Sequence, residues 1–150
     1  MLYTLLMKKL LIFLILVFIG IQLVPMNVPA DLPVKEGDAL EAPENVQAIL
    51  KRSCFDCHSS HTVFPWYSSI APVSWFTKEH VKEAREKLNF STWNSYEDEK
   101  KLKYLEKLPK AIKEKMPMSS YLIMHKEAKL SDADKKAIAE WATEAAFDLE

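Results

Sequence analysis

Cys54-Phe55-Asp56-Cys57-His58 contains the only two cysteines of the chain, with a histidine directly after the second. This C-x-x-C-H spacing is the attachment pattern of a c-type haem. Two thiols so placed can add to the two vinyl groups on one porphyrin edge. The next side chain, His58, then falls beneath the ring as the proximal iron ligand. A thioredoxin-like redox pair would need a βαβ context, and no such pattern is visible. A zinc site built on Cys54, Cys57 and His58 or His61 usually brings a second ligand pair downstream. With no further cysteine, no disulfide framework competes for the two thiols.

The N-terminal segment bears on the same chemistry. Met1 to Met7 is short and apolar, Lys8-Lys9 is basic, and Leu10 to Val24 is apolar apart from Gly20 and Gln22. Fifteen residues of helix cover about 22 Å, short of the ~30 Å hydrocarbon core. That length suits a signal peptide or a short membrane anchor. Val28-Pro29-Ala30 offers a small-residue cleavage site before Asp31, and the absence of cysteine from the apolar run excludes a lipoprotein cut. Either way Lys8 and Lys9 stay cytoplasmic and the remainder is exported, to the side where c-type haem is attached. The expected organisation is a signal peptide or anchor over 1–30, a linker over 31–42 and a haem-binding domain over 43–150.

Composition narrows the choice of fold. Two of the 20 basic residues are Lys8 and Lys9, which leaves 18 against 21 acidic residues in the exported part. No basic patch points to nucleic acid. Gly37 is the only glycine beyond the apolar segment, scarce for a β-rich protein with tight turns. The expected fold class is all-α: a helical domain around one covalent haem, preceded by the membrane or signal helix.

The pattern along the chain predicts helices joined by irregular loops. Residues 25–42, with three prolines, read as an extended tether. Pro43 opens a helix carrying Val46, Ile49, Leu50 and Cys54 at helical spacing. Residues 59–73, with Pro65 and Pro72, form a loop. Ser74 caps a helix from Trp75 to about Leu88, stopped at Asn89. Ser91 or Ser95 opens the next, which carries Leu102, Leu105 and Leu108 inward, and Pro109 restarts a short helix to about Lys115. Ser131 and Asp134 give a capping box to the last helix. Its face of Ile138, Trp141, Ala142, Ala145 and Leu149 is the natural partner of Val46, Ile49 and Leu50.

These features together resemble the small c-type cytochromes and, more closely, the single-haem haem-binding domain family of exported bacterial proteins. The likeness covers most of residues 10–145. It runs through Ile21-Gln22-Leu23, the haem motif with Ser59, Thr62, Pro65-Trp66-Tyr67, and Ile70 to Trp75. His80, Arg85, Leu88-Asn89-Phe90-Ser91 and Trp93 follow, then Met116-Pro117, Tyr121, His125, Ala128, Leu130-Ser131 and Trp141. The resemblance implies a periplasmic, often membrane-tethered monohaem protein.

Six side chains are candidates for the distal iron ligand: Met116, Met118, Met124, His61, His80 and His125. Met116-Pro117 resembles the Met-Pro placement of distal ligands in small cytochromes c, and a thioether there raises the potential. His80, which would make a bis-histidine site, is its chief rival. Met118 and Met124 read as packing residues, His61 as a solvated loop residue, and His125 as a structural hydrogen-bond partner of Tyr121 one turn away. Trp66 and Tyr67 are expected against the haem, whereas Phe90 and Trp93 read as ordinary core. Tyr67 could bond a propionate or the axial sulfur. Arg85 reads as a propionate partner or a solvated residue, and Glu97 to Lys107 as a solvent face in which Lys100, Lys101 and Lys103 could steer an acidic partner.

Two function classes are compatible with these residues. One is a one-electron carrier with His58 and Met116 on iron, serving redox partners in the periplasm or inner membrane. The other is a haem peroxidase or gas or redox sensor with an open or His80-ligated sixth site. His80 and Arg85, the only pair that could act as distal acid and base, lie about 140° apart around a helix.

Overall fold

The computed structural model describes residues 2–149, so Met1 and Glu150 of the expected outer segments lie outside it. The described residues are helical, with α1 (Leu2–Gln22), α2 (Glu44–Ser53), α3 (Phe55–His58), α4 (Val73–Lys87), α5 (Asp98–Glu114), α6 (Ser119–Leu122) and α7 (Asp132–Phe147). Short 3₁₀ turns cover Trp66–Ser69, Phe90–Ser95 and Lys126–Ala128, and no strand occurs among the described residues. The all-α expectation is met.

In α1, Tyr3–Gln22 is long and apolar enough, by length and composition, to cross a membrane. Its 20 residues reach about 30 Å. The helix continues N-terminal of Lys8 and Lys9, which supplies the length that the run from Leu10 lacks by itself.

The core forms where α2, α5 and α7 meet. Leu50 and Ile138 are wholly buried, and Val46, Leu105, Ile112, Trp141 and Ala142 join them in one cluster. Burying each large aliphatic side chain contributes roughly 1.5–3 kcal/mol. The Ser131–Asp134 capping box is present in full, each side chain bonding the other's backbone N–H. α7 packs on α2 as anticipated, but its more extensive contact is with α5.

Three boundaries differ from the sequence reading. The first is at α5, which runs unbroken through Pro109. The proline removes a backbone bond at a cost of about 3 kcal/mol. Leu105 and Ile112, buried on either side of it, hold both halves against the core and offset that cost. The second is the start of α5, where Glu97 rather than Ser91 or Ser95 precedes the first turn. Ser91 and Ser95 instead tie the preceding 3₁₀ turn down, Ser91 Oγ accepting from the Ser60 N–H and Ser95 Oγ donating to Asp38. The third is α4, which begins at Val73 after Pro72 without a side-chain cap. Ser74 is buried in its first turn, with its N–H donating to the Ile70 carbonyl. Asn89 lies beyond the helix and caps the next turn, accepting from the Ser91 N–H.

Candidate functional site

Cys54 sits where α2 ends, at φ −130°, and its carbonyl accepts from the N–H groups of Cys57 (3.2 Å) and His58 (2.9 Å). The motif is therefore a single helical turn that starts afresh at the first cysteine. Both thiols are free. Burial pushes Cys54 up to about 12 and Cys57 up to about 11, and outweighs the opposing pull of Arg52 on one and Arg85 on the other. Such thiols lack the lowered pKa of a thiol–disulfide catalyst.

His58 is held from outside its own turn. Its Nδ1 lies 2.9 Å from the Leu88 carbonyl, and the Phe90 ring stands edge-on to it at 6.1 Å. Burial lowers its pKa, against the raising effect of the backbone bonds. The neutral tautomer that donates Nδ1–H to Leu88 leaves the Nε2 lone pair free, the orientation a metal-ligating histidine needs. Phe90 is core, as expected, but it also braces His58 and stacks on Phe55 at 5.7 Å.

Two adjoining cavities open on the motif. The smaller, about 150 Å³, is lined by Cys54, Cys57, His58, His80, Met116 and Met118, among others. The larger, about 390 Å³, is almost entirely apolar and is walled by Trp66, Tyr67, Phe64, Phe76, Val81 and Met124, with Cys57, His80 and Met118 shared between the two. Their combined size and apolar lining suit a large flat organic ligand.

Several sequence expectations change here. Met124 is 56% exposed and lines the cavity instead of filling the core. Trp66 lines it with 71% of its surface exposed. The Tyr67 hydroxyl goes to His125 Nε2 at 2.7 Å, with burial raising the phenol's pKa and keeping it a donor. His125 does belong with Tyr121: its backbone N–H donates to the Tyr121 carbonyl at 3.2 Å, and the two rings stack at 4.2 Å. The hydroxyl of Tyr121 instead donates to Asp56 inside the motif. His61 is surface-exposed and paired with Asp31, in keeping with its reading as a solvated loop residue. Among the described residues no three His, Cys, Asp or Glu side chains converge to hold a bare metal ion.

Arg85 departs furthest from expectation. It is 9% exposed and donates to the carbonyls of Ser59 (2.8 Å), Pro29 (2.6 Å) and Ala30 (2.9 Å) and to Thr62 Oγ1 (2.7 Å). It is neither a solvated residue nor part of a distal pair with His80. On the Lys-rich face, Lys100 lies over the Tyr96 ring and Lys101 pairs with Asp98.

Comparison with protein families matches residues 16–144 to the haem-binding domain family. The chain belongs to that family. Searches of curated proteins and of solved structures found no match. As a haem-binding protein, this chain has the donor set the group requires. The haem-binding domain offers a histidine with a free Nε2, two unpaired thiols on the same turn, and an apolar cavity reaching two methionines. Ser53, whose buried hydroxyl has no partner among the described residues, lines the same cavity. The residues present fit a haem.

Proposed function

We propose that this protein is an exported one-electron carrier with a single c-type haem, His58 the proximal ligand and Met116 the distal one. The observation that supports the reading most directly is one cavity lined together by Cys54, Cys57, His58 and Met116. Cys54 and Cys57 would hold the porphyrin edge as thioethers, each S–H adding across a vinyl group. The haem supplies the reversible one-electron change at iron. Around it the protein holds His58 through Leu88 and Phe90, presents the thioether, and offers Trp66, Tyr67 and Phe76 as an apolar wall. The carrier reading places the haem domain on the periplasmic side of the inner membrane, with redox proteins there or in the membrane as partners.

A second reading has one observation in its favour. His80 lines both cavities, and its Nδ1 donates to the Phe76 carbonyl at 2.7 Å, leaving Nε2 available. A His80-ligated or open sixth site would make a sensor or peroxidase. Arg85 supports the carrier instead, because its donors are committed to three backbone carbonyls and the Thr62 hydroxyl and it forms no acid–base pair with His80.

The test is the visible spectrum of the full chain from haem-attaching cells, taken oxidised, reduced, and reduced under carbon monoxide. A c-type reduced spectrum with a sulfur-to-iron charge-transfer band and no carbon monoxide shift is expected. A high-spin spectrum with ready carbon monoxide binding would transfer the argument to the open site. Absence of covalent haem would sink both readings.

A further inference from the structure

The segment between α1 and the domain makes more bonds to the domain than a tether needs. At its start the Gln22 side-chain amide pairs with the backbone of Ala71, accepting from its N–H at 2.9 Å and donating to its carbonyl at 3.1 Å. Trp75 Nε1 donates to the Val24 carbonyl at 3.0 Å. Further on, Thr62 N–H donates to the Ala30 carbonyl and Leu32 N–H to the Ser60 carbonyl, each at 2.8 Å. Between these two bonds Asp31 pairs with His61 in an antiparallel bridge. Arg85 reaches across from α4 to the carbonyls of Pro29 and Ala30, while its remaining bonds go to Ser59 and Thr62 in the loop that follows His58.

We propose that residues 22–32 are a strap built into the haem domain and latched by Arg85, so that α1 is kept and Val28-Pro29-Ala30 is not a cut site. A cut after Ala30 would remove every strap bond from Gln22 to Ala30. Arg85, buried and charged, would keep only the Ser59 carbonyl and the Thr62 hydroxyl. Hydrogen bonds to a charged group are among the stronger ones, and the cut would exchange two of them for bonds to water. The domain's bonding around Arg85 therefore includes residues that a signal peptidase would discard. Because the same guanidinium holds both the strap and the haem-motif loop, α1 fixes the orientation of the haem domain instead of letting it swing. The inference does not depend on what the haem does.

The first test uses the unaltered full chain. Cells are fractionated and the protein's intact mass is measured. The expected result is a membrane-bound species that includes α1. A main species beginning at Asp31 in the soluble fraction would overturn the proposal. The second test is limited proteolysis of the detergent-solubilised chain, with cuts mapped between residues 24 and 34. Arg85→Met should raise the cutting rate there at least tenfold and Arg85→Lys should recover part of the loss. Trp75→Phe, which removes only the Val24 bond and leaves Arg85 in place, should raise it about twofold to tenfold, the range of one neutral hydrogen bond. If Arg85→Met does not accumulate, Trp75→Phe and the intact mass decide. Unchanged cutting in the variants that fold overturns the latch.

Discussion

The α5–α7 side of the molecule and the side facing the cavities are built differently. On the first, contacts join helices with a clean apolar face: Leu105 and Ile112 meet Ile138, Trp141 and Ala142, and a local capping box starts α7. On the second, few elements are regular. Position is set by single long-range bonds: His58 to the carbonyl of Leu88, Tyr67 to His125, Tyr121 to Asp56. Apolar burial is non-directional and tolerates small errors of placement. A ligand-holding wall needs each donor aimed, so its specification is spread over the chain.

That contrast can be broken at its strongest point on each side. Cys57→Ala should abolish most covalent haem while leaving the helical core folded, checked by haem staining after denaturing electrophoresis and by far-ultraviolet circular dichroism. Leu50→Ala, in the α2 part of the core, should cost about 2–5 kcal/mol through lost burial and the cavity left behind. Denaturant unfolding of the detergent-solubilised chain would measure that loss. A cost below about 1 kcal/mol would mean that this face does not carry the stability assigned to it.

Weaker perturbations sharpen the comparison. Tyr67→Phe removes the bond to His125 and should destabilise by about 1 kcal/mol. Its clearer mark should be a changed haem absorption or potential, because Tyr67 lines the cavity. Asp134→Asn tests the opposite face, where the effect should be purely one of stability. Burial pushes the Asp134 carboxyl up, but the Ser131 bonds and the Arg52 ion pair outweigh it and hold the pKa below the usual carboxylate value. A carboxyl depressed in the folded state stabilises above its unfolded pKa, and the contribution is lost as pH falls through the folded value. The variant should thus be less stable than the parent by about 0.3–1 kcal/mol at neutral pH. The difference should shrink as the pH drops below ~4, with no change in the haem spectrum.

Much of the fold was legible because its signals are local. The apolar stripe of α2, the Ser131–Asp134 box and the apolar N-terminal helix each depend on residues within a few positions of one another. Pro109 was misleading for the same reason. Taken alone it stops a helix, but Leu105 and Ile112, buried on either side of it against a core built from distant parts of the chain, carry α5 through. Ser74 likewise carries a capping side chain, but the helix starts at Val73, so Ser74 falls in its first turn.

In the site the division follows covalent distance. Cys54, Cys57 and His58 are identifiable by spacing, since one helical turn brings them together wherever the turn is placed. The sequence by itself therefore determined the haem-attachment pattern, the helical class and the apolar N-terminal segment, whereas the full length of α1 came from the structure. Only the tertiary structure decided that Leu88 orients His58, that Tyr67 turns to His125, and that Arg85 leaves the solvent to clamp Pro29 and Ala30. Those bonds join residues 30 to 58 positions apart. Over such separations no periodicity links donor to acceptor, and only the packed chain determines which carbonyl a buried donor meets.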